Sequence, residues 1–308
     1  MKKTLIASSI MTALTGTSAS AATIAEKDGF KYELNGDLQV QLQKDNGDDK
    51  HLYVNFDDVE FDNKISYQLD DHLTALGRIK FDFKDSANDK KGKTSDLDEA
   101  FLGFKYHNTT ATIGKQDYAS DHFGIAEDYE MSSEDVAFGK TKGDDVLALD
   151  IDLNRLNIVL STELRAEEED SEDEQSFDLF ASYGTDVFEL AVAYQKREQS
   201  LHGDEKHAYG ISAAFDAGFA TFAADYSEAE DELEVYNVVS LFDVADRTRM
   251  AIGFVNNKPT DDKETNEWYA NVTYEFSKFK NVRVFGELSN SDADDSELGY
   301  MMGTRIKF

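Results

Sequence analysis

The chain of 308 residues has no cysteine, one proline and one tryptophan. Without cysteine there is no disulfide framework, so a chain of this length needs a large fold to hold it together. A single proline beside 14 tyrosines and 21 phenylalanines favours β-strands over loop-rich structure. Beyond the amino-terminal segment, no apolar run reaches the roughly 18 residues that a membrane-spanning helix needs. If this chain enters a membrane, it does so as strands.

Basic residues are also scarce, with 31 lysines and arginines against 63 acidic residues and a net charge of −32. Nucleic acid is excluded as a partner, because phosphate binding requires the opposite sign. The six histidines fall mostly in predicted turns and loops, without the spacing of metal ligands. Neither a G-x-S-x-G motif nor a cysteine nucleophile is present. We therefore expect no enzyme activity, no cofactor and no bound metal.

The amino-terminal segment has the organisation of a secretory signal peptide. Lys2 and Lys3 are followed by a mostly apolar stretch from Leu5 to Leu14 and then by Ala19-Ser20-Ala21. This order of basic, apolar and small residues predicts a signal peptide over residues 1–21, cleaved after Ala21 or Ala22. The alternative is an ordinary amino-terminal helix. Residues 22–308 are predicted to form one domain.

Alternation of apolar and polar residues runs through the rest of the chain. From Phe30 to Gln43 nearly every second residue is apolar, which predicts a strand with one apolar and one wet face. Sixteen such strands are predicted, near residues 30–43, 51–68, 73–84, 97–106, 110–117, 145–153, 156–164, 177–183, 187–195, 207–215, 219–226, 234–242, 248–256, 267–276, 281–289 and 297–308. The last strand ends on Phe308, and a free sheet edge there would leave backbone N–H and C=O groups open to pairing with other chains. Pairing with the first strand would close a barrel.

The predicted connections are of two kinds. Short ones, such as Asp70-Asp71 and residues 107–109, alternate with long charged ones, such as 166–175 and 257–266. Short turns at one rim and long loops at the other are typical of outer-membrane barrels. The loops of a soluble sandwich are not expected to differ in length between its two ends. The longest connection, 118–143, contains Phe123, Ile125, Tyr129, Met131, Val136 and Phe138. These apolar side chains are predicted to pack inside the barrel.

Several motifs together resemble the sixteen-stranded general diffusion porins of Gram-negative outer membranes. They are the signal peptide, Asn35-Gly36-Asp37-Leu38, Ala100-Phe101-Leu102-Gly103-Phe104-Lys105-Tyr106, Ile113-Gly114-Lys115-Gln116 and the terminal Phe308. The resemblance implies an all-β fold, a sixteen-stranded antiparallel transmembrane β-barrel with short periplasmic turns, long extracellular loops and an inward-folded third loop. It also implies a homotrimer in the cell outer membrane, surrounded by lipid and lipopolysaccharide. Phe308 would be the signal read by the barrel-assembly machinery.

One feature departs from that family. Its members typically oppose an acidic third loop with a wall of basic residues, but here the equivalent wall positions hold Asp37, Asp58, Asp98 and Asp150. Only Arg78 and Lys80 are expected to supply basic groups in this region. The third loop is acidic as well, with Glu127, Asp128, Glu130, Glu134 and Asp135. Two acidic walls would concentrate cations in the lumen, so the sequence predicts a cation-selective pore. The plainer interpretation is a solvated acidic surface.

Some polar residues share the parity of the predicted lipid face. They are Asn55, Asp57 and Glu99, and a charge facing lipid near the midplane is unfavourable. They are predicted to contact another subunit, unless a bulge shifts the strand register. Arg305 and Lys307 are predicted to point into the lumen near its periplasmic mouth.

Three functions are compatible with these patterns. A passive cation-preferring porin is the main prediction, and a substrate-specific porin, for example for oligosaccharides, is the alternative. Inward aromatics would mark the latter, but Trp268, Val272, Tyr274 and Phe276 share a face that looks lipid-directed. The third candidate is a surface adhesion or binding protein on a plugged barrel. Conductance in planar bilayers separates the third from the first two.

Overall fold

The computed structural model describes residues 22–88, 96–125, 131, 136–164, 175–198 and 205–308, apart from the side chain of Lys280. The predicted signal peptide lies outside these residues and stays a prediction. The described residues form seventeen β-strands, one short α-helix and one 3₁₀ helix. No helix among them is long and apolar enough to cross a membrane.

The strands follow one another along the chain as antiparallel hairpins. They are β1 (Ala22–Lys27), β2 (Phe30–Lys44), β3 (Tyr53–Gln68), β4 (Leu73–Asp82), β5 (Asp96–Tyr106), β6 (Thr109–Asp117), β7 (Lys142–Asp152), β8 (Leu156–Glu163), β9 (Gln175–Gly184), β10 (Phe188–Glu198), β11 (Glu205–Asp216), β12 (Thr221–Ala229), β13 (Leu233–Ala245), β14 (Thr248–Pro259), β15 (Thr265–Phe276), β16 (Phe279–Ser291) and β17 (Gly299–Lys307). Helix α1 (Lys84–Ala87) follows β4, and the 3₁₀ helix η1 (Ala119–His122) follows β6.

Strands β2 to β17 form a closed barrel of sixteen strands. Each pairs antiparallel with the next, and β17 returns to β2 with Lys307 opposite Asp37. All sixteen predicted strands and the closure of the last on the first are confirmed. Connections after odd-numbered strands from β3 onward are short, such as residues 107–108, and we call their end of the barrel the short-turn rim. Connections after even-numbered strands lie at the opposite, long-loop rim.

An additional strand, β1, was not predicted. It pairs with the first part of β2, from Ala22 opposite Leu34 to Lys27 opposite Phe30. It uses the same edge of β2 that β17 uses further along. Where the two meet, Gly36 and Phe308 exchange backbone hydrogen bonds of 2.8 and 3.0 Å. The six residues of β1 are all exposed and show no apolar alternation, so the sequence pattern gives no signal for them.

The two faces of the barrel wall differ as the alternation predicts. Outward side chains such as Leu102 and Ile211 are 69% and 58% exposed, as expected for a surface that contacts lipid. Inward side chains include polar groups that are almost fully buried, among them Gln39, Asp178 and Asn237. The core of the protein is therefore the barrel interior.

Bulges in β3 and β5 interrupt the alternation on the inner wall. In β3, Asp57 and Asp58 both lie opposite Gln39, and in β5, Asp98 is an extra residue between the pairs Lys80–Glu99 and Phe81–Leu97. A bulge places two consecutive residues against one partner, which shifts the face of every residue on one side of it. The predicted lipid-facing parity therefore fails on these strands.

Asn55, Asp57 and Glu99 point inward, so their predicted subunit contact is wrong. Asp57 accepts a hydrogen bond from Gln39 at 2.6 Å, and Asn55 donates to Gln43 at 3.3 Å. Glu99 is 3% exposed and accepts a hydrogen bond from Arg78 on the inner wall.

The side chain of Asn88, which follows α1, takes the place of a strand neighbour beside the β3 bulge. Its oxygen accepts the backbone N–H of Phe56 at 2.9 Å, and its nitrogen donates to the Phe56 carbonyl at 2.7 Å. A backbone group left unpaired at a buried position is unfavourable, so this contact stabilises the bulge.

Candidate functional site

The third loop, residues 118–141 between β6 and β7, lies against the inner wall over its described residues. Polar side chains on distant strands accept hydrogen bonds from backbone N–H groups of the loop and from the Ser120 hydroxyl. These hydrogen bonds run from the Ala119 N–H to Ser161 (2.8 Å), from the Ser120 hydroxyl to Asp178 (2.6 Å), from the Met131 N–H to Glu287 (3.2 Å) and from the Ala137 N–H to Ser227 (2.9 Å). Because these groups are buried, each bond avoids an unsatisfied polar atom, and together they fix the loop inside the barrel.

Apolar contacts join the loop to the same wall. Phe123 and Phe138 are buried and pack edge to face, with ring centres 5.4 Å apart. The Phe123 ring lies over Gly210 of β11, where a Cβ atom would come within 2.5 Å of it. Ile125 and Met131 are buried too. Tyr129 lies outside the described residues, as do all five predicted acidic loop residues, Glu127, Asp128, Glu130, Glu134 and Asp135.

The inner face of β2–β7 and β17, which we call the charged wall, carries ion pairs. On β4, Arg78 makes two hydrogen bonds with Asp62, of 2.8 and 3.1 Å, and a third with Glu99 at 2.8 Å. Lys64 lies 3.2 Å from Asp62 on its other side. The bidentate geometry is the strong form of an arginine–carboxylate pair, and it fixes the orientation of the Arg78 guanidinium.

Lys80 forms the centre of a second group on the charged wall. Its Nζ lies 2.9 Å from both Glu60 and Asp98. Asp98 also pairs with Lys142 at the start of β7, and Lys142 lies 3.3 Å from Asp117. Lys142 was not predicted as a wall residue, because the sequence pattern assigns it to the long third connection rather than to a strand.

The third group crosses the seam where the barrel closes. Arg305 donates two hydrogen bonds to Asp37, of 2.8 and 2.5 Å, and lies 2.7 Å from Asp58. Lys307 lies 3.1 Å from Asp37. The expectation that Arg78 and Lys80 are the only basic groups in this region is therefore wrong. β17 contributes two more, because its register places Arg305 opposite Gln39 and Lys307 opposite Asp37.

Asp150 does not join these groups. It lies near the short-turn end of β7, opposite Thr110, and its carboxylate accepts a hydrogen bond from Asn157 at 2.7 Å. The structure thus brings together three of the four aspartates predicted for the wall, and separates Asp150 from them.

Arg283 was not predicted as a site residue. It lies on β16 directly opposite Arg305, and its side chain is half-buried on the inner face. In the part of the chain that the structure describes, no carboxylate is within ion-pairing distance of Arg283. The alternation of polar and apolar residues along β16 indicates that Arg283 points inward, but this residue belongs to none of the motifs quoted above.

Asp37, Asp58 and Glu60 can bring carboxylate oxygens within 4.8 Å of one another. Each of the three is already paired, the first two with Arg305 and Glu60 with Lys80. A divalent cation at this position would have to displace those basic groups. The arrangement is therefore that of a charge-paired wall rather than of a metal site.

Comparisons with known proteins agree with this geometry. A family model described as Gram-negative porin matches residues 7–296. Porin-like protein H of Photobacterium profundum is 28% identical over 337 residues, covering 100% of both chains. A monosaccharide porin of Halomonas is 23% identical and covers 80% of this chain and 76% of its own length. The trimer form of OmpT, an outer membrane protein of Vibrio cholerae, matches with a TM-score of 0.74 at 16% identity, covering 91% of this chain and 100% of that one.

Proposed function

Since this chain belongs to the Gram-negative porin family, we propose that its barrel is a cation-preferring channel for ions and small hydrophilic solutes. The protein is a diffusion channel of the outer membrane. Its selectivity is the part that we infer from the charged wall. The wall is less acidic than the sequence predicted, so a moderate rather than a strong preference for cations is expected.

The observation that carries the proposal is the charge balance of the wall. Seven carboxylates are paired with six basic side chains, namely Asp37, Asp58, Glu60, Asp62, Asp98, Glu99 and Asp117 with Lys64, Arg78, Lys80, Lys142, Arg305 and Lys307. Asp57 adds a carboxylate whose described partner is the amide of Gln39, and Arg283 on the neighbouring strand β16 adds one basic group. These residues together carry a surplus of one carboxylate. In a narrow, low-dielectric lumen even a small surplus of one sign raises the local concentration of counter-ions.

The acidic residues of the third loop would increase the same preference. Glu127, Asp128, Glu130, Glu134 and Asp135 stay predicted contributors, because they belong to a loop whose described residues line the barrel interior. Asp37, Asp58, Asp98, Arg78 and Lys80 are proposed to form the opposite side of the constriction.

Reversal potentials of single channels in a potassium chloride gradient test the proposal. The wild-type pore is expected to favour potassium, and Asp57→Asn to reduce that preference. Asp261→Asn, which removes an exposed charge from the long-loop rim, is the matched control and should leave the reversal potential unchanged. An anion-favouring wild-type channel would contradict the proposed selectivity while leaving the channel activity intact.

We also propose that the protein is a homotrimer in contact with lipid and lipopolysaccharide, and that Phe308 is read by the barrel-assembly machinery. The trimer form of the structurally similar Vibrio protein supports the first part. Asn55, Asp57 and Glu99 give it no support, because they point inward. Mass determination in detergent, with and without heating, distinguishes trimer from monomer.

A sugar-specific porin is the second candidate, and the relative from Halomonas supports it by its description as a monosaccharide porin. Against it, Trp268 and Tyr274 are exposed on the outer face and cannot stack a sugar in the lumen. Concentration-dependent block of the ion current by a monosaccharide would favour this candidate. Unblocked current would favour general diffusion.

A further inference from the structure

The inner faces of β11 to β14 carry a continuous group of small or branched apolar residues. We call this group the apolar wall, and its members are Ala214, Ala223, Val239, Leu241, Ala251 and Gly253. Neighbours in it are direct cross-strand partners, from Ala214 opposite Ala223 to Val239 opposite Gly253. The interior of a porin barrel is generally polar, so an apolar surface in the lumen needs an explanation.

The apolar wall lies across the lumen from the charged wall. In a closed barrel of sixteen strands, strands that are eight positions apart lie on opposite sides, so β11–β14 face β3–β6. The third loop is held nearer the long-loop rim, because Ala137 donates to Ser227 and β12 runs from the short-turn rim through Ala223 to Ser227. A solute on the short-turn side of the loop therefore lies between a charged and an apolar surface.

One amide beside the apolar wall has no hydrogen-bond partner. Asn237 precedes Val239 by two residues on the inner face of β13, and its side chain is 1% exposed. Neither the oxygen nor the nitrogen of this amide is hydrogen-bonded to any residue that the structure describes. A buried polar group without a partner is unfavourable, so a ligand that meets this amide gains binding energy. Asp225 lies directly opposite Asn237 on β12 and adds a negative charge.

These groups together fit a solute that has two unlike parts. An ammonium group carries the charge that Asp225 attracts, and it can donate a hydrogen bond to the amide oxygen of Asn237. A hydrocarbon body attached to that group can lie along Val239 and Leu241, where it removes apolar surface from water. A potassium ion gains from the charge alone, and a neutral apolar solute gains from the apolar wall alone. The combined surface therefore favours a cation that has an apolar body.

We propose that organic ammonium ions with an apolar body are the preferred permeants of this pore, and that Asn237, Asp225 and the apolar wall bind them during passage. The inference rests on the proposed cation preference and names the class of cation that gains most from the lumen. A bound ammonium ion fills part of the lumen, so it interrupts the flow of smaller ions for as long as it stays. Its binding can therefore be measured as a block of the ion current.

Block of the single-channel potassium current by 2-phenylethylammonium chloride tests the proposal. The wild-type current is expected to fall as the concentration of this ion rises. Methylammonium and 2-phenylethanol each carry only one of the two parts, and each should block roughly tenfold less strongly. Asn237→Leu removes the amide at similar volume and should weaken the block about fivefold or more. Val239→Thr keeps the shape of the side chain but adds a hydroxyl to the apolar wall, and should weaken the block about threefold.

Val238→Thr is the matched control for the apolar wall. Val238 is the neighbour of Val239 but points outward and is 48% exposed, so the same substitution there should leave the block unchanged. Each variant's conductance without the blocking ion should match that of the wild type, which verifies its fold.

Two results would overturn the proposal. One is that Asn237→Leu and Val239→Thr are both blocked as strongly as the wild type, and the other is that methylammonium blocks as strongly as 2-phenylethylammonium. Reversal potentials keep this inference apart from the proposed function. A pore that favours potassium but shows no such block contradicts this inference alone, whereas an anion-favouring pore contradicts the proposed selectivity as well.

Discussion

Arg305 of the last strand lies 2.7 Å from Asp58 of β3, while its guanidinium also holds Asp37 of β2 by two hydrogen bonds. One arginine therefore joins three neighbouring strands at the seam where the barrel closes. Its side chain is 21% exposed, and those of Asp37 and Asp58 are 13% and 21% exposed. Ion pairs this far from bulk solvent are screened less than pairs on the surface.

Replacing Arg305 should alter both selectivity and stability. In Arg305→Gln the lumen loses one positive charge, and a unit charge 8 Å from a permeating ion is worth about 0.5 kcal/mol in bulk water. We expect the cation-to-anion permeability ratio, measured from reversal potentials, to rise roughly two-fold. Two partly buried carboxylates lose their partner, so the barrel should also become less stable by about 1–3 kcal/mol, measured by denaturant unfolding in lipid vesicles.

The control for this prediction removes the same charge from the surface. Among the described residues, Lys263 at the long-loop rim pairs with the exposed Asp294, and Lys263→Gln should change neither quantity measurably. An unchanged reversal potential in Arg305→Gln would show that this arginine does not face the permeating ion.

Arg283 offers a contrast with its cross-strand neighbour Arg305. Arg283→Gln removes a lumen charge that is not paired with a carboxylate among the described residues, so no carboxylate there is left unpartnered. The permeability ratio is expected to shift towards cations by about as much as in Arg305→Gln. Stability should stay within about 0.5 kcal/mol of the wild type. A loss of stability as large as that of Arg305→Gln would mean that Arg283 has a structural partner.

The strands were predictable from sequence because a barrel between lipid and water imposes a period of two on each of them. Leu38, Val40 and Leu42 outside and Gln39, Gln41 and Gln43 inside show this rule most clearly. The rule fails where one extra residue enters a strand, as at Asp57–Asp58 and Asp98. Nothing in the local composition distinguishes a bulge there from regular alternation. Asn55 and Glu99 were therefore predicted to lie on the lipid face, although they point inward.

The partners on the charged wall could be predicted only in part, because pairing depends on register across the seam. Arg78 and Lys80 were found by parity within one strand. The contact between Arg305 and Asp37 requires that β17 meets β2 with Lys307 opposite Asp37, and alternation alone does not determine that register. Lys142 could not be identified as a wall residue, because the sequence pattern starts this strand near residue 145, whereas β7 begins at Lys142.

Gly36 should resist substitution because the Phe308 ring covers it. A Cβ atom at residue 36 would lie 2.1 Å from the nearest ring carbon, so Gly36→Ala has to displace the ring. Phe308 also packs against Phe61, with ring centres 6.3 Å apart, and that contact would be disturbed. We expect a destabilisation of about 1–3 kcal/mol, seen as a lower apparent melting temperature at a fixed scan rate.

A glycine with free space serves as the control for Gly36. At Gly286, the nearest atom to a new Cβ is a backbone oxygen 3.4 Å away, which is an ordinary contact. Gly286→Ala should therefore melt close to the wild type. If both variants melt alike, ring packing over Gly36 is not what requires the glycine.

The packing of Phe123 on Gly210 should couple the third loop to the barrel wall. In Gly210→Ala the new methyl group meets the Phe123 ring at 2.5 Å, and the buried loop has to shift. Such overpacking costs about 1–3 kcal/mol, and the shift should also change the single-channel conductance, because the loop lies within the lumen. Phe123→Ala alone removes the buried ring and should destabilise the loop through the cavity that it leaves.

The double variant Phe123→Ala, Gly210→Ala separates this contact from other effects. Without the ring, the alanine methyl group fits into the vacated space, so the added cost of Gly210→Ala should largely disappear. A double-mutant cycle on unfolding free energy is expected to give a coupling of about 1 kcal/mol or more between the two positions. Additive effects would contradict the contact, since independent sites show no coupling. Gly286→Ala combined with Phe123→Ala is the matched control and should be additive, because Gly286 lies on β16 away from this ring.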